Sequence, residues 1–476
     1  MPACAACAAP AALACTACAA PYCSAACQRA AWPAHKAACR AAAAAAREVA
    51  AAVTAQAKIY ASNLKACSQC AAPLRGDPHE CTRCRSVAYC GVDCQRAAWG
   101  GHKATCRAVG EAKFAAEMAR AEAGDADAQG FIGAYYETGT GVAADMAQAV
   151  LWWTRAAAAG HVESQCNLGV CYFEGTGVAA DAFKAIMWYT RAAKAGNAAA
   201  QFNLSLCYKD GTGVAPDARE AVKWLTRAAE AGHTTAQHDL GRRYGDGNGV
   251  AADAREAVKW YARAAETGHA GAQFRLGFCY DKGTGVATDD REAVKWYTRA
   301  AEAGHAGAQV NLGVCYEKGT GVAADAREAI KWYTRAAKAG NAAAQFNLNL
   351  CYKDGTGVAP DAREAVKWLT RAAEAGHTTA QHDLGHRYGD GNGVAADARE
   401  AAKWFTRAAL GGNACAAFNL GVYSMEGRGI ARDFAAARAC FASAAAAGDE
   451  RATAALADLA AAEAAARAAA APRARR

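Results

Sequence analysis

The sequence has few aromatic residues and no long hydrophobic run, although it is rich in apolar residues as a whole. Of its 476 residues, 53% are hydrophobic but only 8% are aromatic, and much of the difference is alanine. The apolar runs are alanine tracts interrupted by charge, which excludes a membrane span. The first residues, MPACAACAAPAALAC, contain no basic leader and no leucine-rich core. We therefore expect no secretory signal, no membrane partner, and a cytoplasmic or nuclear location.

The formal net charge of +8 lies entirely in the first 107 residues, which hold 12 Lys or Arg and 4 Asp or Glu. The rest of the chain holds 41 residues of each sign. If the fourteen cysteines of this segment bind four zinc ions as thiolates, they remove most of the excess positive charge. Nucleic-acid affinity rests on neutralising phosphates, so we do not expect a nucleic-acid partner.

Two cysteine-rich segments carry nearly the same spacing of possible metal ligands. Each supplies seven cysteines and one histidine, enough for two closed tetrahedral zinc sites, which would be structural and not catalytic. A disulfide-rich secreted domain is the alternative, but an odd number of cysteines and a repeated histidine count against it. The candidate ligands are Cys4, Cys7, Cys15, Cys18, Cys23, Cys27, His35 and Cys39, then Cys67, Cys70, Cys81, Cys84, Cys90, Cys94, His102 and Cys106.

The ligand order, together with the pattern Y-C-x3-C-Q-x3-W-x2-H-K-x2-C, resembles the MYND zinc finger, with one finger at 4–39 and another at 67–106. The resemblance implies four structural Zn²⁺ ions held by interleaved ligands. In the first finger one ion would be bound by Cys4, Cys7, Cys23 and Cys27, and the other by Cys15, Cys18, His35 and Cys39. In the second finger the two sets would be Cys67, Cys70, Cys90 and Cys94, and Cys81, Cys84, His102 and Cys106.

MYND fingers recognise short proline-containing peptides, often of PxLxP type. The resemblance implies that a glutamine and a tryptophan of each finger form the peptide groove, namely Gln28, Trp32, Gln95 and Trp99. The alternative is that both tryptophans only pack the small finger cores. Some MYND proteins are histone methyltransferases, but this sequence contains no SET-type segment, so we expect no enzyme activity and no small-molecule substrate.

From residue 125 to 448 the sequence repeats every 36 residues. In the copy at 269–304, Asp289 stands where a helix N-cap belongs, and Glu292 three residues later predicts a capping box. Trp296 lies in the apolar stripe of the second helix, and Gly304 predicts its end. Glutamines keep the same step at Gln129, Gln165, Gln201, Gln237, Gln273, Gln309, Gln345 and Gln381.

The repeat consensus resembles the Sel-like repeat, a relative of the tetratricopeptide repeat. This implies an all-α fold: a right-handed α-solenoid of nine 36-residue helix-turn-helix repeats, whose concave surface holds partner proteins, preceded by the two zinc modules. We expect helical linkers at 40–66 and 107–124. A capping helix and a basic tail are expected at 449–476.

Residues 191–260 and 335–404 are almost identical, which favours a scaffold over an individually shaped active site. They differ at three of 70 positions, Ser205/Asn349, Arg242/His386 and Val258/Ala402.

His382 and His386 stand four residues apart, a spacing at which both side chains could bind one metal ion. Because Arg242 replaces the second histidine in the other copy, the sequence indicates an incidental pair.

Two further sets of residues recur with the repeat. Five cysteines share one repeat position, where a spacing of about 10 Å would prevent disulfides and where we expect small buried apolar groups. They are Cys171, Cys207, Cys279, Cys315 and Cys351.

The other set is a mostly asparagine ladder on the first helices. It could bind an extended peptide, although bonds between neighbouring turns are the favoured interpretation. It consists of Phe131, Asn167, Asn203, Asp239, Arg275, Asn311, Asn347, Asp383 and Asn419.

Together these features predict a zinc-binding intracellular adaptor whose fingers bind peptide motifs and whose repeats bind other proteins. Two weak peptide sites joined by a linker gain avidity, often about 10²-fold. The alternatives are a chromatin- or nucleic-acid-associated regulatory subunit, or a non-catalytic relative of the MYND-containing methyltransferases.

Overall fold

The structure is a computed structural model, and it describes residue 108, residues 110–470 and four two-residue strands. The chain divides into two compact units, Met1–Arg191 and Ala192–Arg476. The first unit contains the strands, the helices α1 to α4 and most of α5. The second contains the end of α5 and the helices α6 to α20. The strands are β1 (Leu13–Ala14), β2 (Pro21–Tyr22), β3 (His79–Glu80) and β4 (Ala88–Tyr89).

All but the first and last of the described helices are thirteen-residue members of a repeated helix pair. After α1 (110–122), the first helices of the pairs are α2 (Ala126–Thr138), α4 (Val162–Glu174), α6 (Ala198–Asp210), α8 (Thr234–Asp246), α10 (Ala270–Lys282), α12 (Ala306–Lys318), α14 (Ala342–Asp354), α16 (Thr378–Asp390) and α18 (Ala414–Glu426). The second helices are α3 (Met146–Ala158), α5 (Ala182–Lys194), α7 (Ala218–Glu230), α9 (Ala254–Glu266), α11 (Asp290–Glu302), α13 (Ala326–Lys338), α15 (Ala362–Glu374), α17 (Ala398–Leu410) and α19 (Phe434–Ala446), and the last helix is α20 (Glu450–Ala470). This confirms the predicted fold class, a helical solenoid of 36-residue repeats.

The ends of the helices follow from single residues of the repeat. The Asp289 side chain accepts the backbone N–H groups of Arg291 and Glu292, both at 3.0 Å, and so starts α11 as predicted. The predicted capping box is wrong in its other half, because Glu292 pairs with Lys295 at 2.8 Å instead of reaching back to Asp289. Gly304 follows α11 with φ of +90° and donates its N–H to the Ala301 carbonyl at 3.1 Å.

The conserved spacing of the glutamines has a structural cause that the sequence did not reveal. The Gln309 side-chain amide donates to the Ala301 carbonyl at 3.0 Å, which joins a first helix to the C-terminal end of the preceding second helix. Each such bond gives a helix-end carbonyl a donor from the next helix; the Ala301 carbonyl accepts it in addition to the Gly304 N–H. The same bond is made by Gln129, Gln165, Gln201, Gln237, Gln273, Gln345 and Gln381.

The core consists of alanines that let helices approach closely and of larger side chains that fill the remaining space. Tyr297 and Leu312 are fully buried, and they pack in one cluster with four buried alanines and four partly buried aromatic residues. Across most repeats an aromatic ring of the second helix lies against a glycine of the first. A Cβ built on Gly313 would lie 2.5 Å from the Tyr333 ring, so the close approach requires glycine there. Two repeats instead combine Ser205 or Asn349 with a smaller leucine.

Gly313→Ala is therefore expected to destabilise the second unit despite alanine's better helix propensity. Overpacking costs about 1–3 kcal/mol, against a gain of up to about 1 kcal/mol from propensity. In a Tyr333→Leu background the same change should cost at least about 1 kcal/mol less, because the ring that it strikes is absent. Denaturant unfolding of the wild type, the two single variants and the double variant measures the cost of Gly313→Ala in each background. Equal costs in the two backgrounds would contradict the packing account.

Candidate protein-interaction surfaces

The zinc fingers are described only through their short strands. All sixteen candidate zinc ligands lie outside the described residues, as do the candidate peptide-binding residues Gln28, Trp32, Gln95 and Trp99. Their individual assignments therefore stay predictions. Thiolate and imidazole donors in this number are the ligands that a structural zinc site uses, so the donor set fits zinc.

The strands repeat the duplication seen in the sequence. They form two antiparallel hairpins, with the partners Leu13 and Tyr22, Ala14 and Pro21, His79 and Tyr89, and Glu80 and Ala88. In each finger the first strand ends directly before the third candidate ligand, and the second strand ends directly before the fifth. The second C-x2-C pair of each finger therefore stands between paired strands, an arrangement that both fingers share. These strands were not predicted from the sequence.

Within each unit, consecutive first helices leave a groove over the second helix between them, which we call the first-helix groove. In the first unit it contains a cavity of about 280 Å³, lined by Glu137, Met146, Trp153, Asn167, Glu174 and their neighbours. In the second unit it contains one of about 240 Å³, lined by Asn349, Lys353, Leu369, Asp383, His386 and Arg387 among others. The two cavities are lined by equivalent repeat positions. Three pairs of lining residues stand six repeats apart: Glu137 and Lys353, Trp153 and Leu369, and Asn167 and Asp383.

The two cavities differ in chemistry although they share a position. The first is acidic, with two glutamates beside a tryptophan. The second is more cationic, with Lys353 and Arg387 beside one carboxylate. Its wall includes Asn349, which is 2% exposed and whose Oδ1 atom has no hydrogen-bond partner. The groove therefore presents different surfaces to a bound chain in different repeats.

The asparagine ladder borders this groove. Asn419 contacts His382 of the preceding repeat at 3.3 Å. For this residue the structure supports the favoured interpretation, bonds between neighbouring turns of the array. Phe131 stands at the same repeat position and is 52% exposed, so it is available for contact with a partner.

Most of the exposed large apolar side chains on the described residues belong to the first unit. Leu151 and Met187 stand at one repeat position and are 46% and 40% exposed, where repeats three to eight carry lysine. Phe183 is 78% exposed at a position where those repeats carry arginine. We call these three residues the apolar patch. A group of exposed apolar side chains on a helix surface is typical of a site of contact with another protein.

The equivalent surface of the second unit is covered by charge pairs. Lys223 and Lys295 each lie 2.8 Å from a glutamate three residues earlier, and Lys259 and Lys331 make the same pair. These are solvent-exposed ion pairs between residues three apart on one helix face. The tryptophans of the second helices are covered by arginine. The Arg299 guanidinium lies 4.7 Å from the ring of Trp296, and seven other repeats place an arginine in the same way.

Four of the five cysteines at the shared repeat position are buried packing groups, as predicted, and the fifth, Cys315, is partly buried. All eight cysteines beyond the fingers are free thiols. Cys171, Cys207, Cys279 and Cys351 are buried, and burial raises the pKa of the Cys207 and Cys351 thiols to about 11. A thiol with a raised pKa is a poor nucleophile at neutral pH. These cysteines therefore do not indicate a catalytic site.

No helix in the part of the chain that the structure describes is long and apolar enough to span a membrane.

A family model described as the Sel1 repeat matches nine segments, at 126–161, 162–197, 198–233, 234–269, 270–305, 306–341, 342–377, 378–413 and 416–449. A second model, the MYND finger, matches residues 4–39 and 67–106. Both resemblances noted in the sequence are thereby confirmed.

Solved structures support the same relationship. A protective antigen present in uropathogenic Escherichia coli strains, with an SLR fold, is 32% identical, with a TM-score of 0.56, over 73% of this chain and 82% of its own. A Sel1 repeat protein from Oxalobacter formigenes is 34% identical, with a TM-score of 0.57, over 65% of this chain and 90% of its own. A search of curated proteins found no match.

Proposed function

The chain belongs to the Sel1 repeat family and carries two MYND fingers, and from this we propose that it is an adaptor that holds peptide motifs with its fingers and further proteins with its repeats. MYND fingers bind zinc, and both module types are protein-interaction modules. The observation that carries the proposal is the combination of two such module types in one chain. The described residues contribute exposed surfaces for such contacts.

Each finger is proposed to hold two structural zinc ions through the eight ligands given above, four ions in all. In the first finger Cys4, Cys7, Cys23 and Cys27 would hold one ion. Bound zinc fixes the backbone of a module that is too small to bury a sufficient core. This chain's own Gln28 and Trp32, and Gln95 and Trp99, would then form grooves for proline-containing peptides.

The repeats are proposed to bind folded or extended protein partners through two surfaces. In the first unit, the apolar patch and Phe131 offer exposed apolar contacts. The first-helix grooves offer cavities whose charge differs between repeats, which suits a partner with an ordered series of side chains. The paired lysines leave little unbalanced positive charge on the second helices, which favours a protein partner over a nucleic acid.

Two fingers joined by residues 40–66 are proposed to bind two motifs of one partner or two partners at once. Binding of the second motif is then intramolecular, so the joined sites bind more tightly than either alone by about 10²-fold or more. The linker sets the spacing of motifs that the chain can accept.

A peptide array probed with the zinc-loaded full chain tests the proposal. We expect binding to proline-containing peptides of PxLxP type, and a loss of at least about tenfold in affinity for Trp99→Ala or Trp32→Ala in the finger that binds. Zinc content must stay unchanged in each variant, which separates a lost groove from an unfolded finger. Trp→Phe at the same positions is the matched control for packing. If the zinc-loaded chain binds none of these peptides, the peptide-binding role is wrong.

A further inference from the structure

Three side chains of the second unit converge at a point where α16 and α18 face each other. The Nε2 atoms of His382 and His386 lie 3.2 Å apart. The Asn419 amide lies 3.3 Å from the first of these atoms and 3.0 Å from the second. The three polar atoms therefore form a nearly equilateral triangle. The pair that the sequence indicated to be incidental is joined by a third group from the next repeat.

This triangle has the dimensions of one face of a tetrahedral zinc site. Zinc binds imidazole nitrogen and amide or carboxylate oxygen at about 2.0–2.2 Å, so neighbouring ligand atoms stand about 3.3–3.5 Å apart. The observed separations are within about 0.4 Å of that range before any ion is bound. A turn of the Asn419 amide by about 180° places its oxygen where the nitrogen stands and makes it a ligand.

The surroundings of His382 prepare it to bind a cation. The Nδ1 atom of His382 lies 3.1 Å from the Asp383 carboxylate, so it carries the proton and leaves the Nε2 lone pair free. A carboxylate that orients a histidine in this way is the usual outer partner of a metal-bound imidazole.

The chain contains a nearly identical copy of this region in which the arrangement is broken. His238 and Asp239 correspond to His382 and Asp383, and they keep the same contact at 3.2 Å. The other two positions are different: Arg242 stands for His386 and Arg275 stands for Asn419. Only three of the 70 positions differ between the copies, and one of those differences supplies the second histidine. The copy therefore provides an internal control for the site.

We propose that His382, His386 and Asn419 form a zinc-binding site of the repeat array, separate from the zinc fingers. Three protein ligands leave a fourth coordination position open for water or for a side chain of a partner. The described residues contain no cluster of three or more His, Cys, Asp or Glu that could hold a metal, so the site depends on its amide ligand. His386 also lines the cavity of the first-helix groove, which places the ion beside a proposed partner surface.

Titration calorimetry with Zn²⁺ tests the assignment on the full chain, with its fingers already loaded. The wild type should bind one additional equivalent. His386→Arg, which installs the residue of the other copy, should weaken this binding at least tenfold with unchanged circular dichroism. Wild-type affinity in His386→Arg, or no additional equivalent in the wild type, would overturn the proposal.

A gain of function completes the test. Arg242→His combined with Arg275→Asn rebuilds the three ligands in the first copy, where His238 and Asp239 are already in place. This double variant should bind two additional equivalents of Zn²⁺ instead of one. A single equivalent in a folded double variant would show that the three ligands do not suffice, and would overturn the proposal equally.

Discussion

Removal of zinc is expected to unfold residues 4–106 while the helical circular dichroism of residues 126–449 persists. Zinc contributes on the order of 10 kcal/mol per structural site, and a finger of about 40 residues has little core to replace it. The repeats are instead stabilised by buried rings such as Tyr333 and by the glutamine bonds between helices. Neither of these depends on a metal.

The measurement is far-UV circular dichroism of the full chain with a strong zinc chelator, followed by limited proteolysis. Cleavage should increase steeply within the first 107 residues only, and added zinc should restore protection. A His386→Arg variant, treated in the same way, controls for the ion proposed in the repeats. Loss of most of the helical signal on chelation would contradict an independently stable array.

Acidification below about pH 6.5 is expected to destabilise the second unit, because four of its first helices begin at a histidine. The Nδ1 atoms of His233, His269, His305 and His377 accept a backbone N–H at 3.1–3.2 Å and so cap these helices. Each ring also stacks on a ring of the preceding repeat, with centroids 4.5–4.7 Å apart.

Burial lowers the pKa of each of these histidines below the ordinary value of 6.5. The unfolded chain therefore binds protons more readily, so stability is complete above pH 6.5 and is lost as the pH falls through the lower folded-state values. A protonated Nδ1 cannot accept a hydrogen bond, and its charge opposes the positive end of the helix dipole. At about 1 kcal/mol per cap, the four together represent about 4 kcal/mol.

The chain itself supplies the control for this effect. Asn341 caps α14 at the same repeat position, with its side-chain oxygen 3.0 Å from the Ala344 N–H, and asparagine does not titrate. Replacing all four histidines by asparagine should keep the stability at pH 7.5 and flatten its decrease towards pH 5. Thermal unfolding of both proteins across this range measures the difference. The same decrease in both would show that the capping histidines are not its cause.

The repeat architecture could be predicted from sequence because its determinants are local. Asp289 and Gly304 mark the ends of a helix through groups within a few residues of each other. The apolar stripe around Trp296 likewise needs only the helical period, and its burial is as expected. One local prediction was wrong: the Glu292 side chain does not bond to the Asp289 backbone N–H as in a capping box, because it pairs with Lys295.

What the sequence could not supply were contacts set by the distance between helices. The role of Gln309 depends on how close its side chain comes to the preceding helix end. The meeting of His382 with Asn419 spans 37 residues, and comparison with Arg242 alone pointed away from a site. The contact between Gly313 and Tyr333 could have been predicted from the sequence, because the two repeat positions vary together. In the repeats where serine or asparagine replaces the glycine, leucine replaces the aromatic ring.

We propose that the fingers, once ordered by zinc, bind peptide motifs, and that the repeats of the same chain bind other proteins. Fluorescence anisotropy of a labelled PxLxP-type peptide tests this, with the peptide titrated by the full chain before chelation, after chelation and after zinc is restored. Binding should be saturable, should disappear when the zinc is removed and should return when it is restored. Binding that is unaffected by chelation, or absent from the zinc-loaded chain, would contradict it.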